Sequence, residues 1–382
     1  MDNKLPILLF KGDESLCYGI MTEYSQQLRN ALMAAGENVI YLDPKEDEVE
    51  PYIDKHYKAV IAFMENIFYM VLPNGDFVFD HFYGPKFNYW TDHPAFYYRY
   101  VQKVPKDYYI LTQDRSYVKY INRYYKQLQA FYLPPGGKHI DDVMPFSERK
   151  YDLSFVGTYW PGEVENTFNK TDETTRIIMD SYLKFLMNEP DYTAEEAFEI
   201  VLEKLGAHLT DDQFAQEFSK VHRLASRGVA RYFRQKIIER IVDSGITIDV
   251  FGDSWKEATF ANNSNLRIHP EVTSDKISEI YNSSKMSLNV MTWHKDSITE
   301  RVLDSMMAGS IALSDQTPAL RENFTDGEEI VLFSLKEIER IPERIRKYLS
   351  NEEVANRGRE KVLQSFSWDN CARRLLEIID EL

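Results

Sequence analysis

Residues 296–333 read DSITERVLDSMMAGSIALSDQTPALRENFTDGEEIVLF. Apolar spacing predicts a helix running to about Ala308, stopped by Gly309, and SIALS (residues 310–314) reads as the buried strand that follows. Ser297 and Thr299 stand where helix caps belong, ahead of first-turn N–H groups that have no intrahelical partner and can receive an anion. Arg301 falls in that first turn, where a guanidinium could hold a phosphate in a forked arrangement and add to the positive end of the helix. Glu300 and Asp304 are four apart and share a helix face. Two acids beside an anion site suit a group that holds ribose hydroxyls while the helix start holds a diphosphate. An ordinary capped amphipathic helix with a charged surface explains the same residues without any ligand.

Working outward, the N-terminal third alternates strands (residues 5–10, 38–42, 59–64, 87–90, 108–112) with helices (residues 19–35, 116–125). That alternation predicts a doubly wound parallel sheet, with its ligand crevice off the carboxyl ends of the strands. Two segments leave the sheet at that edge, one with Lys11 and Gly12, the other with Asp92, His93 and Pro94. They are the acceptor-side candidates. His93 beside Asp92 reads either as a proton-transfer or acceptor-positioning pair or as a turn capped by Asp92 ahead of Pro94. Gly12 admits a close ligand or a tight turn. The tyrosine-dense stretch between Tyr83 and Tyr132 fits core packing and also sugar stacking, and no tyrosine is assigned individually.

LPPGGKHIDDVMPFSERK (residues 133–150) breaks regular structure and reads as a linker between domains. Residues 152–156 begin a new buried strand, and Gly157 and Thr158 at its exit could approach a phosphate or sugar. A charged, largely helical block from about 161 to 245 exceeds what one strand-to-strand crossover needs and reads as an insertion, with helices at 195–205 and 211–224. Arg223, Arg227, Arg231 and Arg234 near its end form either a solvated face or a reach toward diphosphate. Alternation resumes with strands at 246–251, ending in Gly252 and Asp253, and at 266–268. A helix at 275–282 and a strand at 286–291 follow, and residues 365–382 form a terminal amphipathic helix.

From residue 152 onward the chain resembles the glycosyltransferase group 1 superfamily of GT-B fold, in particular its spore-maturation-protein-like branch. The resemblance rests on DLSFVGTYWP, DVFGDSW, YNSSKMSLNV, TERVLDSMMAG and PALRENFTDGEEIVLF, in that order. It implies an α/β fold of two Rossmann-like domains facing a cleft: an acceptor-side domain at 1–138, a linker at 139–151, a nucleotide-sugar domain at 152–364 and a helix at 365–382 crossing back. It also places Pro270, Glu271 and Val272 beside the nucleobase, Ile298 with Ser297 in the turn facing the sugar, and Glu322 bracing the site or touching nucleotide. Many relatives carry two glutamates with seven residues between them; Asp296 and Asp304 occupy those places here. Asp304 keeps the implied ribose role, whereas Ser297 and Ile298 replace a glycine-rich turn after the first acid.

With 382 residues, 43% of them hydrophobic, the chain can build two cores. A formal net charge of −16 argues against general affinity for nucleic acid or anionic membrane. Two distant cysteines, Cys17 and Cys371, fit a cytoplasmic protein, and no apolar run approaches a membrane span, although peripheral membrane contact stays open. The sequence holds no Asp-x-Asp triplet, no G-x-G-x-x-G and no G-x-x-x-x-G-K-[ST], so neither a metal nor a cofactor is expected. The expected activity is metal-independent transfer, retaining in outcome, of a sugar from a nucleoside diphosphate, expected to be UDP, to a hydroxyl of a glycan, lipid-linked or protein acceptor. Arg301, Asp296, His93 and Asp92 are its catalytic candidates. A noncatalytic nucleotide- or sugar-binding protein and a sugar-nucleotide epimerase are the alternatives.

Overall fold

Short apolar runs bounded by Gly, Pro and Asp give the strands, and their burial on both faces makes them members of parallel sheets. The computed structural model describes residues 4–64, 70–159 and 172–382. The chain divides into two compact units: Met1–Lys138, Thr273–Asp275 and Ser365–Leu382 form the first, His139–Val272 and Lys276–Gln364 the second.

In the first unit the strands are β1 (Ile7–Phe10), β2 (Val39–Leu42), β3 (Lys55–His56), β4 (Ala59–Phe63), β5 (Phe82–Tyr83), β6 (Lys86–Trp90), β7 (Tyr108–Thr112) and β8 (Gln129–Tyr132). Six of them make one parallel sheet in the order β2-β1-β4-β6-β7-β8, while β3 and β5 pair separately. Helix α1 (Ile20–Ala34) buries Met21, Leu28 and Leu32, and α2 (Arg115–Tyr124) is capped by Asp114. β8 was not expected from sequence: QAFY is a four-residue strand at the sheet edge, too short to show alternation.

The second unit builds its sheet from β9 (Tyr151–Val156), β10 (Ile248–Phe251), β11 (Leu266–His269), β12 (Ser284–Asn289), β13 (Ile311–Asp315) and β14 (Val331–Phe333). All pairs are parallel, in the order β11-β10-β9-β12-β13-β14. Counted from β9 this is the 3-2-1-4-5-6 order, whose topological switch lies between β9 and β12. The helices are α3 (Glu173–Asn188), α4 (Ala194–Lys204), α5 (Asp211–Asp243), α6 (Ser274–Asn282), α7 (Glu300–Met307), α8 (Pro318–Asn323), α9 (Ile341–Tyr348) and α10 (Glu352–Ser365); α6 begins in the short stretch grouped with the first unit.

α3, α4 and α5 constitute the inserted block; its expected start near 161 lies outside the described residues. The sequence reading ended one of its helices at 224, whereas α5 runs unbroken over 33 residues. Ser226 and Gly228 resemble a stop, but the buried face formed by Phe214 and Phe218 resumes with Val229, Phe233, Ile237 and Ile241, so tertiary packing carries the helix through.

The last helix, α11 (Trp368–Asp380), belongs to the first unit. Trp368 meets the Tyr24 ring edge-on at 5.1 Å, and Gly137 N–H donates to the Phe366 carbonyl at 2.7 Å.

Candidate functional site

At the carboxyl edge of the second unit's sheet, the loops after β9, β10, β12 and β13 converge. Gly157 N–H donates to Phe251 O at 3.1 Å, and Gly157 O accepts from Trp255 Nε1 at 2.7 Å. Gly252 is required by this approach, since a Cβ there would lie 2.8 Å from Gly157 O. Thr158 O accepts from Arg234 Nη1 at 2.8 Å, and Tyr159 N–H donates to Ser254 Oγ at 2.9 Å. The Asp253 carboxylate binds Lys256 at 2.6 Å and the Glu271 N–H at 3.1 Å, and these bonds hold its pKa below the usual range. Asp253 thereby joins its loop to the exposed Pro270–Glu271 segment, with Val272 half-buried beside it.

Helix α7 starts at the switch point. Val302, Leu303, Ser305, Met306 and Met307 are buried, leaving Glu300, Arg301 and Asp304 partly open, as period-3.6 spacing requires. Arg301 donates from Nη1 to Val156 O, so a side chain placed after β12 reaches the end of β9. Burial pushes the Tyr281 hydroxyl up; the Arg301 charge opposes that shift and the Asp304 and Glu300 charges add to it, which locates all three near one buried phenol. Asp296 is half-buried in the preceding loop, and Ile298 is 1% exposed.

The capping expectation needs correction. Thr299 occupies the N-cap position without a side-chain cap bond, and Ser297 Oγ and Thr299 Oγ1 are buried with no hydrogen-bond partner among the described residues. Thr292 Oγ1 and Asn289 Oδ1, on the same β12 exit, share that state. Glu322 is exposed on α8, while Thr317 Oγ1 donates to Ser297 O at 2.8 Å and accepts from Leu320 N–H at 3.1 Å.

Asp315, which sequence reasoning left unassigned, and Arg234, which it left between a solvated face and a reach toward diphosphate, both lie at this edge. Asp315 closes β13, is 4% exposed and accepts from Met291 N–H at 3.1 Å. Its signal was an acid ending an otherwise apolar strand at the carboxyl edge. Arg234 is 2% exposed, and its signal was an arginine spaced with Ala230, Ile237 and Ile241 on a buried helix face. Among the described residues, no group of three or more His, Cys, Asp or Glu side chains could hold a metal ion.

The acceptor-side candidates lie in the first unit. Lys11 Nζ binds Asp43 at 2.6 Å, which raises the lysine pKa. Gly12 serves its own fold: a Cβ there would sit 2.1 Å from the Met21 carbonyl oxygen of α1. His93, rather than Asp92, caps the Pro94–Tyr97 turn, its Nδ1 accepting from Ala95 N–H at 3.1 Å. The ring is 2% exposed between Tyr117 and Tyr120, each at 4.8 Å, and Asp92 is half-buried beside it.

Residues 227–377 match the sequence model of the glycosyl transferase-like family. No curated protein matches the chain. Among solved structures it is similar to T4 phage β-glucosyltransferase in complex with UDP-glucose, with TM-score 0.53 and 11% identity over 99% of this chain and 100% of that one. Sucrose-phosphate synthase from Thermosynechococcus elongatus gives TM-score 0.53 and 11% identity over 99% of both chains. A glycosyltransferase involved in avilamycin A biosynthesis gives TM-score 0.55 and 11% identity over 98% and 97%. The likeness to these structures shows a GT-B fold, and the glycosyl transferase-like match lies in residues 227–377 of it.

Proposed function

We propose that the chain transfers a sugar from a nucleoside diphosphate, UDP first among the candidates, to a hydroxyl acceptor, without a metal and with retention. The observation that carries this reading is Arg301 reaching Val156 O across the β9/β12 switch point, beside two unpartnered hydroxyls at a helix start. A diphosphate leaving group gains negative charge as the glycosidic bond breaks, and fixed donors plus a guanidinium stabilise that charge where it grows. Asp304, one turn from Glu300, holds the ribose; Ser297 and Thr299 offer hydroxyls to the diphosphate or sugar. The acceptor-side role of Lys11, and the catalytic roles of Asp296 and Asp92, belong to the same proposal. His93 acts there through the turn it caps.

The test is a thermal-shift and turnover screen across nucleotide sugars with chelator present. A ligand at about 100 times its Kd stabilises the folded state by about 2.7 kcal/mol. UDP raising Tm and a UDP-sugar releasing UDP is the expected result. Binding without release would make the chain a noncatalytic module, and donor isomerisation without release would make it an epimerase. Arg301→Ala lowers kcat by about 10²- to 10³-fold, and Arg301→Lys recovers it only in part, because an ammonium lacks the guanidinium fork. Unchanged turnover in both variants would remove Arg301 from the chemistry.

A further inference from the structure

The inserted helices are fastened to the donor-side loops by two cations. Arg234 of α5 is 2% exposed; its Nη1 donates to Thr158 O at 2.8 Å, in the loop after β9. The same guanidinium lies 5.3 Å from the Trp293 ring centroid, in the loop after β12, and 5.6 Å from Phe155. One side chain therefore touches both exits of the topological switch. Lys295, in the β12 exit, donates to the Pro190 carbonyl between α3 and α4. Both cations draw on Asp315, which holds the Met291 N–H where that loop begins.

Burying a guanidinium is costly unless its position is used and its charge compensated. An inserted bundle attached only for stability could be closed with apolar residues of similar volume. The planar fork of arginine fixes two partners in one geometry, which the flexible point charge of lysine does not.

We propose, resting on the nucleotide-sugar reading above, that Arg234 is a positioning residue: it sets the spacing between the Thr158 and Trp293 loops that the donor's diphosphate requires. The insertion is thereby part of the donor site. Displacing a binding loop by about 1 Å costs up to about 100-fold in a positioned reaction, so loss of this tie falls on donor affinity and turnover together.

The test compares wild type with Arg234→Gln and Arg234→Lys. Amide hydrogen exchange of residues 157–159 and 291–299 is measured without ligand, and UDP binding by calorimetry. Expected are faster exchange in both loops and a Kd raised about tenfold or more in Arg234→Gln, with partial recovery in Arg234→Lys. Exchange and Kd both unchanged in a folded Arg234→Gln overturn the proposal. If that variant does not fold, Arg234→Lys decides: faster exchange in 157–159 and 291–299 supports the tie, and exchange and Kd both unchanged overturn it. Wild type binding none of UDP, GDP or ADP refutes the nucleotide-sugar reading, while the ligand-free exchange still decides whether Arg234 holds the loops.

Discussion

The Asp315 carboxyl is pushed up to about 6 because burial strips water from its charged form, an effect that the Met291 N–H and the nearby Lys295 and Arg234 only partly offset. The folded protein thus binds a proton that the unfolded chain releases near its ordinary value. Stability from this group is present in full below about 4 and is lost as pH rises through about 6. The gap is worth roughly 3 kcal/mol at neutral pH. Asp315→Asn keeps an acceptor for Met291 and removes the titration, so denaturant unfolding should find it more stable than wild type at pH 7.5 and converging with it by pH 4. A stability difference independent of pH would refute the assignment. At Gly12, by contrast, geometry governs: the Ala variant drives a Cβ into the Met21 carbonyl and should cost about 1–3 kcal/mol. The sequence showed both Arg301 and Asp304 because helix period alone sets their face. Asp315 stayed unassigned, and Arg234 stayed between a solvated face and a reach toward diphosphate, because burial of a charge depends on partners contributed from elsewhere in the chain.

Among elements, α8 braces the start of α7. Thr317 caps α8 and grips the Ser297 carbonyl through one hydroxyl. Thr317→Ala should lose about 1 kcal/mol by denaturant unfolding, and Thr317→Ser should recover most of it, since the hydroxyl does both tasks. Equal losses in the two variants would assign the effect to the missing methyl group instead. Most strands were legible because apolar runs between turn residues admit few alternatives, whereas β3, β5, β8 and β14, each of two to four residues, were too short to read. The caps were less legible: Ser297 and Thr299 have capping chemistry, yet neither hydroxyl makes a cap bond, while His93, an uncommon cap, holds its turn. The full length of α5 was hidden because Ser226 and Gly228 read as a stop when only neighbouring residues are weighed.

For the whole molecule, a formal charge of −16 sets the long-range field. Binding to duplex DNA depends on cations neutralising phosphates, so no gel shift is expected at about 0.15 M salt, and saturable retention there would overturn the choice of a non-nucleic-acid acceptor. The order of the chain matters as well. α11 packs Trp368 on Tyr24, and a Cβ at Gly136 would lie 2.3 Å from Trp368 N, so residues 365–382 complete a unit whose other strands are made before residue 139. During synthesis the first sheet must therefore wait, with the α11 side of α1 uncovered, until the ribosome has made the entire second unit. Nascent chains halted just before residue 365 should be protease-sensitive in α1 and become resistant only once α11 has emerged from the ribosome.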